Sequence, residues 1–144
     1  MMEETLSGND KWYCSKCKDF VTARKKMEVY KAPDYLILHL KRFSHQRNTM
    51  FGTRKISDLI NFPVTNLDLS QFVRAAPGDC VYDLYAVSNH FGTLNGGHYT
   101  AFAKNPYFQK WYSFDDSEVD RCREEDVVTK AAYVLFYKRR GAPI

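Results

Sequence analysis

The feature that most limits the fold of this chain is a series of short apolar segments, each of strand length. Polar stretches with Gly, Pro or Asn separate them, and no segment has the length or the period of a long amphipathic helix. Aromatic residues make up 15% of the 144-residue chain, and flat rings pack well on a pleated surface. The predicted strands are residues 35–40, 81–90, 98–103, 110–115 and 131–137.

This pattern predicts an α+β protein that is mainly an antiparallel β-sheet and poor in helix. The continuous apolar run at residues 35–40 predicts a buried strand. We expect single helical turns at residues 68–72 and 124–127, and loops at residues 44–58 and 91–97. The polar residues 1–11 are expected to be disordered. The domain then extends over residues 12–140, with 141–144 as a tail.

Composition excludes several classes of protein. No apolar run approaches the roughly 20 residues of a membrane-spanning helix, and the first residues lack the pattern of a signal peptide. Four cysteines in a chain without a secretion signal indicate reduced thiols or metal ligands, which predicts the cytoplasm or the nucleus. The net charge of +4 comes without a motif that joins basic and aromatic residues, so neither nucleic acid nor a membrane is expected as a partner.

The most informative segment is the predicted hairpin from Gly96 to Asp116. If its loop is residues 105–108, Lys104 faces Gln109, and the register brings aromatic and hydroxyl residues together across the strands. A slip by one residue would place His98 opposite Asp116 and lose those pairs. The pairs of the favoured register are Phe102–Trp111, Thr100–Ser113, His98–Asp115, Tyr99–Phe114 and Ala101–Tyr112.

A His beside an Asp is the base and its orienting group in many hydrolases that use a nucleophile. The imidazole of His98 would accept a proton, while the carboxylate of Asp115 would hold its tautomer and stabilise the imidazolium. Next to a thiol, the same imidazolium lowers the thiol pKa. Gly96 and Gly97 would let another backbone approach closely. The alternative at this point is a His–Asp pair that only satisfies buried polar groups.

The hairpin resembles the histidine box of the ubiquitin-specific proteases. The resemblance rests on residues 89–92, 96–101 and 110–117, and three further segments fit the same family in order. Those segments are residues 35–43, 81–88 and 131–137. The resemblance extends over about residues 12–139, and it implies the palm and part of the fingers of a papain-like cysteine protease fold.

The resemblance also implies roles for single residues. It makes His98 the general base, Asp115 its orienting residue and Asp116 a supporting acidic residue. Tyr99 would lie along a narrow channel for the ubiquitin tail, which ends in two glycines, so that bulkier sequences are excluded. Residues 91–97 and 44–58 resemble two blocking loops, the second of which is expected to move when ubiquitin binds. The implied substrate-binding residues are Tyr99, Gly96, Gly97 and Phe91.

One departure from the family pattern concerns the nucleophile. The cysteine box of the family and its nearby Asn do not occur in these residues, and neither Cys80 nor Cys122 has that context. The basic neighbours of Cys122 could lower its thiol pKa, but we do not expect it to be the nucleophile. The chain is therefore expected to be inactive alone and to require an N-terminal segment that carries the cysteine box.

A second departure concerns zinc. Cys14 and Cys17 have the spacing of half a tetrahedral Cys₄ site, and structural zinc needs four ligands. The family pairs this motif with another Cys-x-x-Cys upstream, which does not occur here. His39 and His45 are poor substitutes. We expect structural zinc in the complete domain, and no zinc or weakly bound zinc in this chain.

The resemblance thus implies the C-terminal part of a deubiquitinating cysteine protease. The reaction would be hydrolysis of the bond after the C-terminal glycine of ubiquitin. The expected partners are ubiquitin, ubiquitinated proteins and the missing segment. The alternative is a non-catalytic fragment that binds ubiquitin or acts as a scaffold, and retention of His98 and Asp115 argues against it. A zinc-ribbon nucleic-acid binder would rest only on Cys14, Cys17 and the positive charge.

Overall fold

The structure is a computed structural model that describes residues 3–44, 54–75, 80–93 and 96–143. Its strands are β1 (Glu3–Leu6), β2 (Trp12–Cys14), β3 (Asp19–Val21), β4 (Ala23–Lys26), β5 (Tyr35–His39), β6 (Phe43–Ser44), β7 (Arg54–Lys55), β8 (Leu67–Asp68), β9 (Val81–Thr93), β10 (Gly96–Lys104), β11 (Trp111–Asp115), β12 (Glu118–Cys122) and β13 (Ala132–Arg139). Short 3₁₀ turns lie at Gly8–Asp10, Ser70–Phe72 and Glu124–Asp126. No helix among the described residues is long and apolar enough to cross a membrane.

A seven-stranded sheet dominates the described residues. Its order is β12-β11-β10-β9-β13-β5, and β8 pairs with the beginning of β9. All of these pairings are antiparallel. The predicted fold class is confirmed, and two of the 3₁₀ turns lie where helical turns were predicted. The strand β12 was not predicted, because its polar residues Glu118, Asp120 and Arg121 hide the period of two.

Three two-stranded ribbons accompany this sheet: β1 with β4, β2 with β3, and β6 with β7. The first differs from the expected disorder of residues 1–11, because Glu3–Leu6 pairs with Ala23–Lys26. Opposite charges support that pairing: Glu3 lies 3.3 Å from Arg24, and Glu4 lies 3.7 Å from Lys25. Cross-strand ion pairs of this kind stabilise a ribbon only modestly.

The core lies on one face of the large sheet. Tyr82 and Tyr137 are fully buried there and have no exposed surface. Each of these tyrosines donates its hydroxyl proton to a proline carbonyl, Tyr82 to Pro33 at 2.5 Å and Tyr137 to Pro63 at 2.7 Å. Burial raises the pKa of Tyr137 to about 12. The other core members include Leu84, Val87, Trp111, Val127, Ala132 and Leu135.

The strand β5 departs from its prediction. A buried strand was expected, yet Ile37 is 60% exposed and Tyr35 is 47% exposed. The reason is position, since β5 is the last strand of the sheet and pairs with β13 alone. A continuous apolar run indicates that both faces can be buried, but it does not say which neighbours will cover them.

Two β-bulges interrupt the pairing of β9 with β13. Tyr133 is the extra residue on β13, between the pairs Ala132–Asn89 and Val134–Ser88. Tyr85 is the extra residue on β9, between the pairs Phe136–Ala86 and Tyr137–Leu84. A bulge re-aims a side chain and is often found beside a functional site. The two bulges lie toward opposite ends of the sheet.

Arg42 connects the sheet to the segment that follows β7. Its side chain is buried, and it donates hydrogen bonds to the carbonyls of Ala132, Ile56 and Asp58 at 2.6–3.1 Å. Most of the loop predicted at residues 44–58 lies outside the described residues. What is described is its base, where Phe43–Ser44 pairs with Arg54–Lys55.

Candidate functional site

The hairpin of β10 and β11 turns through a longer loop than predicted. Lys104 faces Trp111, so the connection includes Asn105 to Lys110. The side-chain oxygen of Asn105 accepts hydrogen bonds from the backbone N–H groups of Tyr107 and Phe108 at 2.9 and 3.0 Å. The Asn105 N–H donates to the Lys110 carbonyl at 2.8 Å. This Asx-type turn adds two residues to the loop.

The predicted register is therefore wrong by two residues. Phe102 faces Ser113 and Ala101 faces Phe114, whereas Trp111 and Ser113 were expected opposite Phe102 and Thr100. Because the side-chain period of a strand is two, a shift of two residues leaves every side chain on its predicted face. The grouping of His98 with Asp115 survives for this reason.

The structure brings His98 and Asp115 into contact. Nε2 of His98 lies 2.5 Å from Oδ1 of Asp115. Both side chains are about half exposed, at 47% and 55%. They border an open groove of about 470 Å³ that Phe91, Thr100, Phe102 and Ser113 also line. Because the contact uses Nε2, the ring atom Nδ1 remains available to a reacting group.

Electrostatics favour the protonated form of His98. Its pKa is raised above the usual value, first by the hydrogen bond to Asp115 and then by the charge of that carboxylate. The charge of Asp116 adds a smaller effect in the same direction. These are the properties of an imidazole that can accept and hold a proton.

Asp116 occupies the turn between β11 and β12. Its φ is +49°, in the left-handed region that Asp tolerates better than most residues. Ligand atoms of His98, Asp115 and Asp116 all lie within 4.8 Å of one another. Asp116 is thus near the pair, and its supporting role stays a prediction.

Tyr99 lies on the opposite face of β10 from His98. It is 57% exposed, and its ring packs on His90 with a centroid distance of 4.7 Å. The bulged Tyr133 also contacts His90, at 5.6 Å, and Phe43 closes the cluster at 5.6 Å from His90. The channel role predicted for Tyr99 stays a prediction.

The two glycines before His98 differ. A Cβ at Gly97 would overlap the Phe91 carbonyl and the ring of His90, whereas a Cβ at Gly96 would meet nothing within 4 Å. Gly97 therefore serves the packing of β9 against β10, and only Gly96 leaves open space beside the strand. Phe91 pairs opposite His98 and is 48% exposed. Residues 91–97, predicted as a loop, are strand wherever the structure describes them.

His90 is a residue that the sequence did not single out. It is 4% exposed, and Nδ1 of its ring is buried without a hydrogen-bond partner among the described residues. Burial lowers the pKa of His90, and the positive charge of Lys55 lowers it further. Lys55 donates a hydrogen bond to the His90 carbonyl at 2.6 Å. The alternation along β9 does not show its burial, because Val87 and Asn89 are the buried residues of one face and His90 lies on the other.

Neither Cys80 nor Cys122 lies at the groove beside His98. Cys122 pairs opposite Trp111, four residues along β12 from Glu118, which is roughly 13 Å from the end that holds Asp115. Burial raises the pKa of Cys122, and Asp126 raises it further, contrary to the lowering that its basic neighbours suggested. Cys80 is buried before β9 begins.

Cys14 and Cys17 lie at the turn between β2 and β3. The backbone N–H groups of Cys17 and Lys16, and then the Cys17 side chain, lower the pKa of Cys14. Two adjacent thiols fit half of a zinc site. No third His, Cys, Asp or Glu joins them within the part of the chain that the structure describes. The described residues therefore supply two of the four ligands of a structural zinc site.

Known proteins resemble this chain over nearly its whole length. The family model "Ubiquitin carboxyl-terminal hydrolase" matches residues 5–137. Human "Ubiquitin carboxyl-terminal hydrolase 15" is 48% identical over 139 residues, which are 96% of this chain and 14% of that protein. "Ubiquitin carboxyl-terminal hydrolase 10" of Arabidopsis thaliana is 49% identical over 140 residues, 96% of this chain and 15% of that protein. The chain thus spans about one seventh of these relatives.

Solved structures of the same family have a similar fold. A chain of the SAGA DUB module of Ubp8, Sgf11, Sus1 and Sgf73 bound to monoubiquitin has a TM-score of 0.82 and 35% identity. The match covers 99% of this chain and 31% of that one. The same module bound to ubiquitin aldehyde gives a TM-score of 0.79 at 33% identity. This chain belongs to the ubiquitin carboxyl-terminal hydrolase family.

Proposed function

We propose that this chain supplies the general base of a deubiquitinating cysteine protease and its orienting carboxylate. The observation that carries the proposal is the contact between Nε2 of His98 and Oδ1 of Asp115 at 2.5 Å. A module that only binds has no use for an exposed His–Asp pair at a groove. Family membership supports a hydrolase, and the resemblance to a module bound to monoubiquitin supports ubiquitin as the ligand.

In the proposed reaction a cysteine of a separate segment attacks the carbonyl of the C-terminal glycine of ubiquitin. Nδ1 of His98 accepts the thiol proton, and Asp115 stabilises the imidazolium through Nε2. The imidazolium then gives its proton to the leaving amine, which leaves a thioester between the cysteine and ubiquitin. Water, deprotonated by the same imidazole, hydrolyses the thioester and releases the glycine carboxylate and the thiol.

We propose that the nucleophile belongs to another segment. The positions of the four cysteines support this, since Cys122 and Cys80 lie away from the groove and Cys14 and Cys17 lie on another ribbon. We propose the cysteine-box segment as the partner of the groove beside His98. In that arrangement Gly96 has the open space that a close backbone requires. The reduced thiols suit the cytoplasm or the nucleus.

Complementation tests this proposal. The chain is mixed with the cysteine-box segment of a relative such as ubiquitin carboxyl-terminal hydrolase 15, and release of a fluorogenic amide from the ubiquitin C-terminus is followed. We expect no turnover by the chain alone and turnover by the mixture. His98→Ala should lower the restored rate by roughly 10²-fold or more, whereas the distant surface variant Glu125→Gln should leave it unchanged.

The outcomes separate the candidate functions. Restored turnover that survives His98→Ala would remove His98 as the base. Turnover by the pure chain that disappears in Cys122→Ala would make Cys122 the nucleophile. Binding of ubiquitin by the mixture without any turnover would favour the non-catalytic fragment.

A further inference from the structure

A second cavity lies at the end of the sheet away from His98. It has a volume of about 440 Å³ and is formed around the bulged Tyr85. Lys104, on its edge, is six residues from His98 along β10, which is roughly 20 Å. The cavity is therefore separate from the groove of the His–Asp pair. Its size is that of pockets that take small ligands or a few side chains.

The floor of the cavity is aromatic. The bulge at Tyr85 interrupts the pairing with β13, and the Tyr85 ring meets that of Tyr35 edge-to-face at a centroid distance of 6.1 Å. Burial raises the pKa of the Tyr85 hydroxyl. The other bulge of the same strand pair, at Tyr133, lies beside the ring of His90.

The walls of the cavity are positively charged. Lys104, Lys138, Arg139 and Arg140 line it, and Asp83 is the one acidic side chain among its lining residues. Arg140 already binds Asp83 through two hydrogen bonds, and Arg139 binds Asp34.

The two lysines are less well satisfied than the arginines. Lys138 Nζ lies 5.8 Å from the centre of the Tyr35 ring and has no carboxylate partner among the described residues. Lys104 is 3.6 Å from Glu124, a long contact. The ammonium groups of Lys138 and Lys104 could therefore bind the carboxylate of a ligand.

The β10–β11 turn beside the cavity carries two exposed aromatic residues that do not themselves line it. Pro106 and Gln109 of the β10–β11 turn line it, and between them Tyr107 is 85% exposed and Phe108 is 68% exposed. The turn is held by the Asn105 side chain and by a hydrogen bond from the Gln109 amide to the Pro106 carbonyl at 2.6 Å. Aromatic residues on a preorganised turn lose little conformational entropy on binding.

We propose that this cavity docks a short acidic segment of a partner protein. Its carboxylates would contact Lys138 and Lys104, and an apolar side chain would pack against Tyr107 and Phe108. Charge complementarity would orient the segment, and the aromatic turn would anchor it. This inference does not depend on the proposed function, because the cavity is distant from His98.

The test uses the whole chain labelled with ¹⁵N and an unlabelled probe peptide in which glutamates flank one leucine. We expect shifts of amide resonances centred on Tyr85, Lys104 and Lys138, and weaker binding when the salt rises from about 50 to about 300 mM. The same peptide with lysines in place of the glutamates should not bind. Shifts centred on His98, or no binding of the acidic probe, would overturn the proposal.

Two variants with the same change of net charge provide the decisive comparison. Lys138→Glu should weaken binding of the acidic probe by about fivefold or more, because an attraction between opposite charges becomes a repulsion between like charges. Lys130→Glu, on an exposed turn outside the cavity, should change it less than about twofold. Equal losses would show a response to net charge alone and would overturn the site.

A double variant tests the aromatic anchor. Tyr107→Ser with Phe108→Ser should weaken binding while thermal unfolding stays unchanged, because both side chains are largely exposed. Unchanged affinity in the double variant would overturn the anchor.

Discussion

Nε2 of His98 lies 2.5 Å from Oδ1 of Asp115, although the two residues are not opposite each other in the β10–β11 register. The register of β10 with β11 begins at Ala101–Phe114, and continuing it would place Asp115 opposite Thr100. The contact is therefore diagonal, between residues on one face of neighbouring strands. Long or ring-shaped side chains can bridge such a diagonal.

The first prediction concerns the pKa of His98. Replacing Asp115 with Asn removes the charge that favours the imidazolium, so the pKa of His98 should fall. Asp116→Asn should lower it less, because Asp116 acts only through its charge. Titration of the imidazole resonances by NMR measures both values. An unchanged His98 pKa in Asp115→Asn would contradict the assigned contact.

The second prediction concerns His90 and the pH dependence of the stability of the chain. Its pKa is lowered in the folded chain, so between that value and the ordinary value of 6.5 the unfolded chain binds more protons. Stability then rises with pH in this window and is lost as the pH falls through it.

Chemical denaturation at a series of pH values, on wild type and on His90→Gln, isolates this contribution. The stability of wild type relative to the variant should decrease as the pH is lowered below about 6.5. Lys55, whose own pKa is lowered by burial and by Arg42, lies beside His90 and donates a hydrogen bond to its carbonyl. A difference that does not vary with pH would show that His90 is not held neutral.

The glycines before His98 form a matched pair of variants. Gly97→Ala forces a methyl group into the Phe91 carbonyl and the His90 ring, and should destabilise the chain by about 1–3 kcal/mol. Gly96→Ala adds a methyl group in open space and should change the free energy of unfolding by less than about 0.5 kcal/mol. Urea denaturation of both variants measures this. Equal effects would mean that the packing of β9 on β10 is looser than described.

Zinc provides the fourth prediction. The lowered pKa of Cys14 favours a thiolate, but two ligands leave a tetrahedral ion half coordinated. We expect weak zinc binding, competed by a chromophoric chelator and lost in Cys14→Ser. Addition of chelator should leave the unfolding temperature of the chain unchanged. A clear fall in that temperature would mean that the chain completes the site with ligands of its own.

Several parts of the fold could be predicted because they depend on local pattern. Apolar segments of strand length predicted the strands at residues 81–90 and 98–103, whereas the loop that Gly and Asn predicted at residues 91–97 is strand wherever the structure describes it. The polar strand β12 and the ribbon of β1 with β4 carried no such pattern. Pairing with a neighbour, rather than the residues' own preference, makes these segments strands.

For the site, the sequence determined that His98 and Asp115 share a face. A register shift of two residues leaves each side chain on the same face of the sheet, so the error in the predicted loop length did not separate them. The register was missed for a local reason, because the Asn105 side chain selects a longer turn. Only the tertiary structure decided that His90 fills the space over Gly97 and that Tyr85 and Tyr133 are bulged. These features depend on contacts between strands, and the free energy of such contacts is not encoded in the pattern of any one strand.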